Sequence, residues 1–219
     1  MPVPARDFLH HALNVLLHLD THLGALIASS GGWIYGILFA VIFCETGLVV
    51  TPFLPGDSLL FAAGAFAATG ALHPLGLLAV LIAAGILGDS VNFVIGSAIG
   101  PKVFHYPDSR FLRREHLERT HRFYEKHGGK TIILARFMPI IRTFAPFVAG
   151  VGSMQYRRFI LFNVIGALLW VLLLTGGGYF FGNLPVVRRH FSLVVLVIIF
   201  LSVLPGIIEY VRHRREISR

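Results

Sequence analysis

Between Leu75 and Ile99 the chain carries a single charged residue, Asp89. At about 1.5 Å per residue, a helix of that length crosses a hydrocarbon core of about 30 Å. Tyr156–Gly182 and Phe191–Val211 read the same way. A backbone inside lipid must satisfy its own hydrogen bonds, which leaves helices as the fitting element for runs of this length. With 55% hydrophobic and 14% charged residues among 219, polar surface is too scarce to cover a water-soluble fold. These features predict an all-α integral membrane protein with one membrane domain over residues 33–211.

The formal net charge of +8 does not indicate nucleic acid, because the positive residues gather between the apolar runs and at the end of the chain. Residues 101–130 hold Lys102, Arg110, Arg113, Arg114, Arg119, Arg122, Lys126 and Lys130 against Asp108, Glu115, Glu118 and Glu125. That excess predicts a cytoplasmic, amphipathic segment lying on an anionic leaflet. The basic tail 212–219, with Arg212, Arg214 and Arg215, is expected on the same side. Arg188 and Arg189 fall in the opposite loop and are outvoted by these larger clusters.

Residues 8–29 alternate apolar positions with His10, His11, His18, Asp20 and His22, so residues 1–32 are expected to form an N-terminal amphipathic helix rather than a cleaved signal peptide. His18 and His22 share a helical face without a third ligand, and no metal or other cofactor is expected. Cys44, the single cysteine, can form no internal disulfide and reads as a packing residue.

Two apolar stretches are interrupted. Trp33–Val50 contains Glu45 and is followed by Pro52, Pro55 and Gly56, after which Asp57 or Ser58 can cap a short helix. Residues 131–152 hold Arg136 and Arg142 and are broken by Pro139 and Pro146. Each reads as a re-entrant hairpin, over 33–72 and 131–152, and each precedes a span, over 75–100 and 156–182. The fold class expected is a helical bundle with two re-entrant helical hairpins in an inverted repeat. In such folds the binding site lies where the broken helices meet.

An arginine at bilayer depth costs at least a few kcal/mol, so Arg136 and Arg142 need partners or a task. Glu45 has no basic neighbour one helical turn away, and its partner must come from another element. Guanidinium groups suit phosphate through a planar fork of donors and a permanent charge. A structural ion-pair network is the rival reading, and an arginine paired with a carboxylate at rest can still exchange it for phosphate. Asp57 reads equally as a helix cap. Asp89, on a stripe with Gly85, Gly88, Asn92 and Gly96, reads first as a helix-packing contact and second as a site residue.

Three passages then resemble the DedA family, also described as the SNARE-associated or VTT-domain superfamily. They are Phe43–Gly47 through Thr51–Ser58, Gly88–Phe93, and Tyr124–Lys130 through Arg136–Arg142. The resemblance implies a bacterial inner-membrane protein with paired re-entrant hairpins, from a family implicated in returning undecaprenyl phosphate across the membrane with proton-motive-force dependence. It also implies that Glu45, Asp57, Arg136 and Arg142 fall on the family's essential acids and arginines. Phe93 stands where relatives often carry Tyr.

The expected function is translocation of undecaprenyl phosphate or a related anionic lipid, with membrane lipid headgroups and protons as partners and homo-oligomer formation left open. The alternative is a proton-coupled carrier of a small ion or osmolyte. An enzyme is not expected, because a lipid-phosphate phosphatase needs a nucleophile and an acid–base group, and neither hairpin holds a histidine. A scaffold role would leave function intact in Glu45→Gln.

Overall fold

The computed structural model describes residues 29–48, 56–103, 128–152 and 154–190, with isolated positions 25, 27, 193, 194, 196–198 and 200. Every element among the described residues is helical. They are α1 (Trp33–Gly47), α2 (Gly56–Ala68), α3 (Pro74–Val103), α4 (Lys130–Ala135), α5 (Pro139–Val151), α6 (Tyr156–Phe181) and α7 (Pro185–Arg189). Most of the expected N-terminal helix, Pro52 and Pro55, the bulk of the basic segment 101–130, most of the span 191–211 and the tail 212–219 lie outside the described residues.

Pro74–Ile99 and Tyr156–Phe181, 26 residues each, are long and apolar enough to cross a membrane. Neither α1, with 15 residues, nor α2 or α5, with 13 each, reaches the roughly 20 that a crossing needs. The outer face of α6 shows Leu161, Ile165, Leu168, Leu169, Leu172 and Leu173. A patch this wide and apolar would be a liability in water and is the ordinary surface of a helix in lipid.

The break before α5 follows from its sequence. Met138 is extended (φ −119°, ψ 106°) because the proline after it disfavours the helical region, and Pro139 opens α5 where a missing N–H costs nothing. Pro146, expected as a second break, instead lies inside α5, which continues to Val151. It gives up only the N–H that would reach the Arg142 carbonyl, and membrane helices tolerate such a loss when neighbouring elements surround it.

The long helices pack against each other, α3 also against α1 and α5, and α6 also against α2 and α4. Two crossings are so close that only glycine fits. A Cβ on Gly96 would lie 2.2 Å from the Phe147 carbonyl oxygen, and one on Gly150 would lie 2.2 Å from that of Phe93. At the other crossing, a Cβ on Gly64 would lie 2.0 Å from the Thr175 carbonyl oxygen, and one on Gly178 would lie 1.9 Å from that of Phe61. Both contacts are reciprocal, and in each of the four the glycine stands three positions after the carbonyl on its own helix.

Two apolar clusters result. One gathers Leu38, Ile42, Leu60, Leu77, Leu81, Ala84 and Trp170, and the other Phe93, Ile132, Ala135, Ala145, Ala149 and Phe159. Along α3 the residues between Ala84 and Phe93 include Gly85, Asp89 and Asn92. Along α6 those between Phe159 and Trp170 include Asn163 and Gly166. A polar layer thus lies between two apolar ones, near the middle of both long helices.

Candidate functional site

Arg142, in the first turn of α5, spreads its fork over two acids. Nη2 lies 3.2 Å from Glu45 Oε1, near the end of α1, and Nη1 donates to Asp57 Oδ1 at 3.0 Å, in the first turn of α2. Glu45 is buried, and its Oε1 also accepts the Gly56 N–H at 3.3 Å. Its Oε2 is buried with no hydrogen-bond partner among the described residues. The Asp57 side chain is the most open of the three, 21% exposed against 10% for Arg142 and 3% for Glu45.

Both Glu45 and Arg142 stand at the helix end that opposes their charge, the acid near a C-terminus and the base near an N-terminus. Each is stabilised by the other rather than by its own helix. Asp57 sits in the first turn of α2, where a negative charge suits the dipole, so the cap-like position and the ion pair coexist.

Arg136 belongs to a second group. Its Nη2 donates to Asp89 Oδ2 at 2.7 Å, to Asn163 Oδ1 at 2.5 Å and to the Gly85 carbonyl at 3.2 Å. The side chain passes between α3 and α6 where both carry glycine. A Cβ on Gly85 or on Gly166 would lie 3.2 Å from it. Asn163 completes the clamp by donating to the Ile86 carbonyl at 3.0 Å.

Trp170 stands between the groups. Its indole N–H donates to Asp57 Oδ1 at 2.9 Å, and its ring centroid is 4.8 Å from Cζ of Arg142 and 5.7 Å from Cζ of Arg136. These are cation–π distances inside a water-poor interior, where the attraction is strongest. Asn92 ties the hairpin elements together by donating to the carbonyls of Thr46 at 3.2 Å and Thr143 at 2.8 Å, the residues that follow Glu45 and Arg142.

The structure therefore brings Glu45, Asp57 and Arg142 into one cluster and places Arg136 beside it with Asp89. Gly56 touches Glu45, Pro139 opens α5, and Pro146 lies one helical turn beyond Arg142. The pairing of acids and arginines, open from the sequence, is Glu45 and Asp57 with Arg142, and Asp89 with Arg136. Trp170 and Asn163 add to the candidates legible in the sequence, and Asn92, there a member of the packing stripe, is here a tie between hairpin elements. A polar Asn163 midway along an apolar run was the available signal, whereas Trp170 gave none. Among the described residues no three His, Cys, Asp or Glu side chains converge as metal ligands would.

A family model for the VTT domain matches residues 54–180, a segment holding Asp57, Asp89, Arg136, Arg142 and Trp170. Protein DedA of Escherichia coli K12 is 56% identical over 215 residues, covering 97% of this chain and 98% of that protein. A Mycobacterium tuberculosis membrane protein, Rv0364, is 44% identical over 182 residues, covering 82% of this chain and 79% of its own. The inner membrane protein YghB of E. coli is 36% identical over 172 residues, 78% of this chain and 77% of its own. No solved structure matches.

Proposed function

This chain belongs to the DedA family of VTT-domain membrane proteins, and on that premise we propose that it translocates an anionic lipid, undecaprenyl phosphate or a close relative, across the bacterial inner membrane with proton coupling. The observation that carries the proposal is Arg142 held between Glu45 and Asp57 inside an apolar interior. A guanidinium shared by two carboxylates can turn the same fork to a phosphate. Asp57 and Arg142 each stand in the first turn of their helix, α2 and α5, so both helix N-termini add partial positive charge near the cluster, which favours an anion there. The isoprenoid tail stays in lipid, and the protein handles the head alone.

Proton coupling follows from the exchange. When phosphate occupies Arg142, two neighbouring carboxylates lose their shared cation, and uptake of a proton by one of them offsets the repulsion. Glu45 Oε2 is a buried oxygen with its lone pairs unused among the described residues, which supports Glu45 as the acceptor. Protonation then gives the two conformations unequal affinity for the headgroup, as a driven switch requires.

Alternating access is read as an inverted repeat, with α1–α2 and α4–α5 as re-entrant hairpins and α3 and α6 as the spans that follow them. The reciprocal glycine contacts support this, because α2 meets α6 as α5 meets α3, by the same spacing of carbonyl and glycine. The basic segment and the tail are assigned to the cytoplasm by charge.

The test uses purified protein in sealed liposomes containing undecaprenyl phosphate, following headgroup movement with and without a pH gradient. Gradient-sensitive movement lost in Glu45→Gln and Arg142→Gln supports the reading. Absence of movement by folded wild-type protein, with proton-linked flux of a small ion, transfers the site to the ion-carrier alternative.

A further inference from the structure

We infer that Trp170 is a positioning residue that holds the site together while Arg142 changes partners, an inference that rests on the headgroup reading above. Asp57 Oδ1 accepts two hydrogen bonds, from Arg142 Nη1 at 3.0 Å and from the Trp170 indole at 2.9 Å. Once Arg142 turns to a phosphate, the indole N–H keeps one donor on that oxygen. Asp57 then stays beside the vacated position instead of swinging into solvent, to which its side chain is already 21% open.

The ring does a second task. It lies against Arg142 and Arg136 at once, a neutral side chain that bridges the two charged groups. Cation–π attraction is undirected within the plane of the ring face, so a guanidinium can rotate from acid to phosphate without leaving it. Trp170 is itself 1% exposed and packed in the apolar cluster with Leu60, Leu77 and Leu81, which fixes its orientation. Its helix, α6, meets α2 at the Gly64–Gly178 crossing, and this contact keeps the N–H aimed at the first turn of α2.

The two tasks separate by substitution. Trp170→Phe keeps a ring face and removes the N–H, whereas Trp170→Ala removes both. The chain has two tryptophans, and Trp33 is 82% exposed, so Trp33→Phe leaves Trp170 as the sole indole fluorophore. In Trp33→Phe protein, a short-chain isoprenyl phosphate should change the Trp170 emission saturably, and Arg142→Gln added to it should remove the change. Inorganic phosphate, titrated in parallel, tells whether the lipid tail contributes.

For transport, Trp170→Phe should bind the same probe within about threefold of wild type yet move lipid about tenfold more slowly, the loss expected when a charged group gives up one donor. Its pH profile should be displaced. Trp170→Ala should lose binding as well. A Trp170→Phe protein that matches wild type in rate and pH profile, or one in which binding and thermal stability fall together, overturns the assignment while leaving lipid transport standing. Wild-type protein that neither binds nor moves a lipid phosphate overturns the function reading and this inference with it.

Discussion

A Cβ on Gly56 would lie 1.6 Å from Oε2 of Glu45, while the Gly56 N–H donates to Oε1 of the same carboxylate at 3.3 Å. The acid is thus seated directly on the backbone at the start of α2, and any side chain at position 56 must displace it. Gly56→Ala must push Glu45 away from Arg142 and is expected to abolish transport. Gly36→Ala, in α1 with nothing within 4 Å of its Cβ position, should be silent. Proteoliposome flux and thermal unfolding of the two variants, measured side by side, check this.

Arg142→Gln leaves Glu45 and Asp57 facing each other in the interior without their cation. Removing one partner of a buried pair costs about 3–5 kcal/mol, much of it the penalty of the charge left behind. Adding Glu45→Gln to that variant should recover part of the unfolding temperature and none of the transport. Recovery of both would mean that the cluster serves only to hold the hairpins together.

Asp89→Asn takes the carboxylate from Arg136, which has no other acidic partner among the described residues. A buried guanidinium left with neutral acceptors and no carboxylate should destabilise the α3–α4–α6 junction by a similar few kcal/mol. The double variant Asp89→Asn with Arg136→Gln should be more stable than Asp89→Asn. Equal stability of the two would show that Arg136 draws its compensation from elsewhere. A double-mutant cycle on unfolding temperature in detergent decides it.

The two long apolar helices, α3 and α6, were legible in the sequence because length and apolarity alone determine which segments can cross a bilayer. The charged residues were legible as candidates because each is expensive at that depth. Their pairing was not, since it depends on which helix faces meet. Asp89, read first as a packing contact and second as a site residue, holds Arg136 because α4 lies against α6 and directs that side chain between α3 and α6. Trp170 was invisible for a different reason. An indole in an apolar run has the same hydropathy whether its N–H meets lipid or a carboxylate. Pro146 misled because the rule that proline ends a helix is drawn from chains in water, where a freed carbonyl has an alternative partner at hand.

The helix crossings supply the last prediction. Alanine at Gly64, Gly96, Gly150 or Gly178 drives a methyl group into a backbone carbonyl at 2.2 Å or less, and a carbonyl within a helix cannot turn aside. Overpacking of this kind typically costs about 1–3 kcal/mol, and the two helices must separate to relieve it. Gly176→Ala, on the same helix as Gly178 but with nothing within 4 Å of its Cβ position, is the control and should leave stability unchanged. If the two halves are an inverted repeat that rocks about these crossings, Gly64→Ala and Gly150→Ala should impair transport to similar extents, as should Gly96→Ala and Gly178→Ala. Transport lost at one crossing and retained at the other, with all four proteins folded, would mean that one half moves while the other stays fixed, and the symmetric reading would fall.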